Sequence, residues 1–353
     1  MYRWRSVIIC AMSGVLGCAA GDPTAEPAAP VSADQAFKRA AAAHLAEVLT
    51  DPSLRDQLIS DARRRGPLAL SELTGLIGRI EVAPGGDVVP EISLREPAAA
   101  SDSANLVVAW APPGDERTWT EIPAFALGGA RLALDPQRAP DAPVLVVETH
   151  GRLTLRHDID KANVLLQQAG LQRAPAKDGP LNAVNIQTTL LTSIRLANDQ
   201  EPWISGAAEI YAIVSGVIGS NDPQMQIVDL PYLDNDQTTY APNQIIVNWS
   251  NFQYQVANIQ LFEHDSNTNY QALITAIISA VGAVGSLAGY PTVQAITEIA
   301  NRIIAAIPAS VFTNDDDYVD SFYTIEQTRT YTGRIGAGNN ATISLQPFTV
   351  VAN

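Results

Sequence analysis

Val256-Ala257-Asn258-Ile259-Gln260-Leu261-Phe262-Glu263-His264-Asp265 is the stretch on which the reading of the fold turns. Ile259 and Leu261 share one face at the β period, and the run closes on two acidic residues around a histidine. Just upstream, Ile245, Val247 and Trp249 share a face in the same way. Working outward, strands are predicted at 186–196, 208–217, 226–230, 244–249, 254–263, 319–325, 330–335 and 342–350. Many short strands with turn residues between them indicate a sandwich. One segment breaks the pattern. Residues 272–290 carry no charge and are mostly Ala, Ile, Val and Gly, long enough for a membrane span by length alone. Gly282, Gly285 and Gly289 weaken such a span, and Pro291 leads into Val293, Ile296, Ile299, Ile303 and Ile304 at helical spacing. Two adjacent helices, an αα-hairpin over 271–308 inserted between two strands, fit better.

Upstream, Phe37, Ala41, Leu45, Val48 and Leu49 have helical spacing, and His44 sits among them as a packing histidine. Asp51-Pro52 starts a second helix, with Asp as N-cap and Pro at the first helical position, and Gly66-Pro67 ends it. Short strands are predicted at 76–82, 88–94, 106–111, 130–134 and 144–148. Gly151 is read as turning the last of these into a hairpin partner at 152–156. The expected fold class is therefore mainly β, α+β overall. A helical pair and a small β domain occupy 33–170, a linker 171–183, and an antiparallel β-sandwich with its helical insertion 184–353.

The first 32 residues read as an export signal and a tether. Arg3 and Arg5 precede a short apolar run at 7–15, and Val15-Leu16-Gly17-Cys18 resembles a lipobox, which makes Cys18 the lipidated first residue of the mature chain. Cys10 falls inside the leader, so the mature chain keeps Cys18 as its sole cysteine. Residues 19–32, rich in Ala and Pro, follow as a disordered tether. The expected location is the cell envelope, at the outer membrane in a Gram-negative cell. The expected partners are the lipid bilayer, through that anchor, and a protein, glycan or surface. The formal net charge of -15 argues against a nucleic-acid partner, because phosphate binding needs clustered Lys and Arg.

Four acidic stretches fall between strands or at their ends. They hold Asp199 and Glu201, Asp234 and Asp236, Glu263 and Asp265, and Asp315, Asp316 and Asp317. Between Asp199 and Thr328 the sole Arg or Lys is Arg302. Carboxylates brought together without a counterion repel, and Ca²⁺ takes 6–8 oxygen ligands of this kind, so calcium is the expected cofactor. An EF-hand loop from Asp234 fails, with Thr239 where Gly is required and Ile245 where Glu is required. Solvated turns rich in Asp and Asn are the alternative.

The pattern resembles C2-like calcium-binding sandwiches, in which acidic loops at one end of two packed sheets hold calcium. On that resemblance 259–265 enters the last calcium loop and 315–319 leaves it, with the αα-hairpin as a departure from the compact form. Glu201-Pro202-Trp203-Ile204-Ser205-Gly206, Ala208-Glu209-Ile210-Tyr211, Pro231-Tyr232-Leu233-Asp234 and Asn243-Gln244 also resemble an uncharacterised bacterial family, domain-of-unknown-function family 3103. That resemblance implies no activity.

The sequence contains no G-x-S-x-G elbow, no S-x-x-K and no HExxH. His150, His157, Asp158 and Asp160 lie close together but match no common zinc spacing. No catalytic residue is assigned. The favoured function is an anchored lipoprotein whose calcium-binding sandwich serves stability or adhesion. The alternatives are a hydrolase with a site near His150 and His157, and a membrane-active protein using the 271–308 hairpin.

Overall fold

The structure, a computed structural model, describes residues 32–96, 102–114, 118–172, 185–198, 203–205, 209–219, 221–233, 236–264, 270–282, 291–306 and 318–351. The N-terminal leader and tether, with Cys18, lie outside the described residues. Two helices open the chain, α1 (Ala33–Val48) and α2 (Pro52–Arg65). The Asp51 carboxylate accepts from the Ser53 and Leu54 amides at 2.8 and 3.3 Å, as the Asp-Pro start implies. His44 packs as expected, its Nε2 2.6 Å from the Ile77 carbonyl. There follow β1 (Leu68–Ala69), α3 (Leu70–Ile77), β2 (Glu91–Arg95), β3 (Val107–Ala109), β4 (Ile122–Ala126), β5 (Arg131–Leu134), β6 (Val144–Glu148) and α4 (Arg152–Gln168). The first sheet has the order β1-β2-β6-β3-β4-β5, antiparallel except between β3 and β6. One face, with Ile92, Val108, Leu145 and Val147, packs under α1, α2 and α3. The other, with Val107, Ala109, Val144 and Val146, packs against Ile204.

The second half contains β7 (Ile186–Leu196), β8 (Ile210–Ile218), β9 (Asp222–Asp229), β10 (Thr239–Tyr240), β11 (Gln244–Asn248), β12 (Val256–Glu263), α5 (Tyr270–Gly282), α6 (Thr292–Ala306), β13 (Tyr318–Glu326), β14 (Tyr331–Ile335) and β15 (Ala341–Val350). One sheet runs β10-β7-β15-β14 with β11 also on β7, and the other runs β13-β12-β8-β9. The β period assigns the faces. Ala257, Ile259 and Leu261 of β12 and Ala212 and Val214 of β8 meet Leu191, Ile194, Ile343 and Leu345 of the facing sheet, which makes the sandwich. Tyr211, Ile213 and Phe262 point the other way, into a core closed by α4, α5 and α6. The expected αα-hairpin thus forms a third layer on the sandwich. Among the described residues no helix is long and apolar enough to cross a membrane, and α5 has 13 residues.

Three local readings are corrected. Residues 152–156 begin α4 and do not form a hairpin with β6. Residues 76–82 are the end of α3 and irregular chain, not a strand. In β11 a register shift between Ile245 and Val247 leaves Ile245 39 % exposed while Ile246 and Val247 are both buried, so Ile245 does not share the inner face. Residues 173–183 of the expected linker lie outside the described residues. Leu171, at its start, is buried in the core beneath α5 and α6, and its carbonyl accepts from the Met225 amide at 2.7 Å. Residues 32–353 form one compact unit.

Candidate functional site

Strand β6 ends at Glu148, and Thr149-His150-Gly151 turns directly into α4. Glu148 follows Val144 and Val146 on the strand face toward Ile204, and it stands opposite Glu91 in the antiparallel register with β2. Two carboxyl groups are thereby set side by side on neighbouring strands, and both are largely withdrawn from water. Each is held by its own set of donors. Ser93 donates its hydroxyl to Glu148 Oε2, and Arg95 donates to Glu148 Oε1 at 2.6 Å. Arg95 also binds the carbonyls of Ile204 and Ser205 at 3.3 and 2.5 Å, which ties this wall to the 203–205 segment. Gly151, the N-cap of α4, has no side chain to offer, and the Glu91 carboxyl takes that place by accepting from the Leu153 amide at 2.7 Å.

Gly151 also sets the spacing of the pair. A Cβ there would lie 2.6 Å from Glu91 Oε1 and 3.0 Å from Glu148 Oε2, so both oxygens converge on the space that the glycine leaves free. Glu91 Oε1 is buried and has no hydrogen-bond partner among the described residues. Burial, and then the neighbouring Glu148 charge, push the Glu91 carboxyl up to about 8. Glu148 is raised as well, by burial, against the opposing pull of Arg95 and Ser93. Two carboxylates this close do not both ionise near neutrality, so the pair keeps a proton.

A small pocket of about 50 Å³ opens beside Glu148, bounded by Lys38, Thr149, His150, Glu209 and His264. His150 is driven down to about 4, first by burial and then by the Lys38 charge, so its ring is neutral at pH 7. The His264 ring lies 6.5 Å from that of His150. It is fixed by the His150 carbonyl at Nδ1, 3.2 Å away, and by the Asp158 carboxylate at Nε2, 3.3 Å away. Its amide donates to the Glu209 carbonyl at 3.0 Å, which joins the end of β12 to the residue before β8. Lys38 is 4 % exposed and pairs with Asp34 at 2.9 Å, and Asp34 also accepts from the Thr149 hydroxyl.

The structure separates the residues that the sequence grouped. His150 lines the cavity, whereas His157 faces Asp87 on the exposed side of α4 at 3.4 Å, and Asp160 is exposed. Asp158 touches His264. Of the expected calcium ligands, Asp199, Glu201, Asp234, Asp265, Asp315, Asp316 and Asp317 lie outside the described residues. Asp236 is exposed, and Glu263 is buried at the end of β12. Among the described residues no group of three or more His, Cys, Asp or Glu side chains is placed to hold a metal ion. Glu91 and Glu148 were missed because they are 57 positions apart (148 − 91) and only strand pairing joins them. The available signal was local: each carboxylate sits at the end of an apolar strand, and the second runs straight into Thr-His-Gly.

A family profile described as "Protein of unknown function (DUF3103)" matches residues 92–353, and this chain belongs to that family. The match contains Glu148, His150 and His264 and begins one residue after Glu91. No curated protein and no solved structure matches the chain.

Proposed function

We propose that this chain is an exported, membrane-anchored protein whose cavity at the end of β6 is an acid–base site for hydrolysis of a small polar substrate. The observation that carries the reading is the convergence of Glu91 Oε1 and Glu148 Oε2 on the gap at Gly151, at the wall of a small, partly open pocket that His150 also lines. The usual order of proton affinities is reversed there. The histidine is the neutral base near neutral pH, and the carboxyl pair is the acid.

In the proposed reaction His150 takes a proton from a water as that water attacks the substrate. The bond to the leaving group breaks, and Glu148, which faces the cavity, gives the shared proton to the leaving atom. Glu91 lies behind it and keeps the pair protonated. The proton on His150 then returns to the pair, which restores the starting state. Export and anchoring rest on Arg3, Arg5, the apolar run at 7–15 and Cys18.

The test is a panel of chromogenic esters, amides and glycosides offered to the full chain. Glu148→Gln and His150→Ala are each expected to lower kcat/KM by about 10²–10⁴-fold. His157→Ala, on the exposed face of α4, is expected to leave it unchanged. Absence of turnover across the panel, or turnover that survives Glu148→Gln, overturns the reading.

A further inference from the structure

Lys38 is the sole Lys or Arg among the described residues lining the cavity. It comes from α1, a different element from those that carry Glu148 and His150, and its side chain is 4 % exposed. Lysine is seldom buried this far unless it is paired. Here the pairing is arranged in detail. Asp34, one helical turn earlier, holds the ammonium at 2.9 Å, and the Thr149 hydroxyl holds Asp34. The ammonium is thereby fixed at the cavity wall beside the turn that carries His150. Its charge acts on both neighbours, helping to lower His150 and opposing the rise of Glu148. Two other cations act on the carboxyl pair: Arg95 is committed to Glu148 and to two carbonyls, and Arg152 is paired with Asp229 at 2.8 Å. An ammonium has three N–H donors and Asp34 occupies one side of it, so Lys38 has donors to offer to a ligand oxygen.

A fixed positive charge beside a reacting atom discriminates between reaction classes. Hydrolysis of an ester or amide passes through a tetrahedral intermediate with negative charge on the former carbonyl oxygen, and a nearby ammonium stabilises it. Hydrolysis of a glycoside passes through a transition state that resembles an oxocarbenium cation, and the same ammonium opposes it. We infer that Lys38 is the oxyanion-stabilising residue of this site and that the substrate is an acyl compound, an ester or amide, and not a glycoside. The inference rests on the acid–base reading of the same cavity. Water attacks the acyl carbon and gives its proton to His150, the carbonyl electron pair moves onto oxygen beside Lys38, and collapse expels an alkoxide or amine that leaves with the proton from Glu148.

The experiment is calorimetric binding of two uncharged-scaffold inhibitors to the full chain: a phosphonate ester that mimics the tetrahedral oxyanion, and an iminosugar that mimics the oxocarbenium ion. The wild type is expected to bind the phosphonate and not the iminosugar. Lys38→Met is expected to weaken phosphonate binding at least tenfold, and Lys38→Arg to restore part of it. Melting curves of both variants show whether they fold. If Lys38→Met does not fold, the wild-type preference and Lys38→Arg decide the question. Preference of the wild type for the iminosugar, or phosphonate binding undiminished in a folded Lys38→Met, overturns the assignment of Lys38 while leaving acid–base hydrolysis standing. If neither compound binds, the acyl assignment fails, and the ester, amide and glycoside panel with Glu148→Gln then judges the acid–base reading separately.

Discussion

At the scale of single residues, the site depends on groups whose chemistry is set by what surrounds them. Gly151 leaves room for the pair: a methyl group there would displace the Glu91 carboxyl and crowd that of Glu148. Gly151→Ala is therefore expected to cost about 1–3 kcal/mol by overpacking and to disrupt the carboxyl pair, read as a lowered melting temperature. Glu91 makes a signed prediction about pH. Its carboxyl is raised to about 8 in the folded chain from an ordinary 4.5, so between those values the folded state holds a proton that the unfolded state has released. The stabilisation from Glu91 is complete below pH 4.5 and is lost as pH rises through about 8. Glu91→Gln mimics the protonated form, so melts at pH 6 and pH 9 should show a smaller loss on going alkaline than the wild type shows; an equal loss in both would contradict the burial account. His150 works in the opposite sense. Its depressed value favours the folded state above 6.5, and that contribution fades as pH falls toward about 4. Residue chemistry was the least legible level in the sequence. His150 stood out, but its apparent neighbour His157 belongs to another face, since α4 rotates the two apart. Nothing local reveals that Glu91 and Glu148 are register partners.

At the scale of elements, periodicity carried most of the fold and failed where two periods coincide. Leu153 and Leu155 alternate with Arg152, Thr154 and Arg156, which reads as a strand over five residues. Leu155, continued to Ile159, Ala162 and Leu166, follows the helical period, and these are the apolar side chains that α4 sends into the core, while Leu153 is half-buried. The strands of the sandwich were legible because one face of each meets a solid apolar layer. β11 departs at its bulge, which no hydrophobic count foresees. The αα-hairpin was legible from its lack of charge and its helical spacing, and it covers one face of the β13-β12-β8-β9 sheet. That covered face also holds the Gln260 amide, fully buried, with neither its oxygen nor its nitrogen partnered among the described residues. Removing an unsatisfied buried group is neutral or favourable, so Gln260→Leu should leave stability unchanged or raise it by up to about 2 kcal/mol. A loss larger than that in a denaturant titration would mean that the amide is satisfied. Asp320 gives the opposite case. Its buried carboxylate accepts from the amides of Ser321, Gly338, Asn340 and Ala341 and so pins the β14–β15 turn to β13. Asp320→Ala should destabilise by more than about 3 kcal/mol, because several buried donors lose their acceptor together.

At the scale of the whole molecule, one sandwich supports a helical layer on one side, and the helix-covered first sheet contributes the carboxyl wall of the cavity. The residues that build the cavity come from α1, from the chain after β3, from β6 and the turn after it, and from the segments before β8 and after β12, so it exists only in the assembled fold. That is why the site was not legible in sequence order while its supports were. Two sequence expectations belong to this scale. Anchoring through Cys18 is checked by palmitate labelling, which Cys18→Ser should abolish while releasing the protein from the membrane fraction; unchanged labelling would remove the anchor from the account. Calcium at the acidic stretches is checked by paired melts in calcium and in chelator. An ion that binds only the folded chain stabilises it by about 2.7 kcal/mol at a hundredfold excess over Kd, a shift of a few degrees. Coincident melts would leave those stretches as solvated turns.

The central claim is that the cavity holds a proton on its carboxyl pair while its histidine stays neutral. The most direct measurement is a pH titration by nuclear magnetic resonance of the full chain, labelled with ¹³C at the glutamate carboxyls and with ¹⁵N in the histidine rings. The expected result is one carboxyl that titrates near pH 8 and vanishes in Glu91→Gln, with the His150 ring still neutral as pH falls toward 4. If every glutamate carboxyl titrates below about pH 5 and His150 takes up its proton near the ordinary histidine value, the acid–base site does not exist as described.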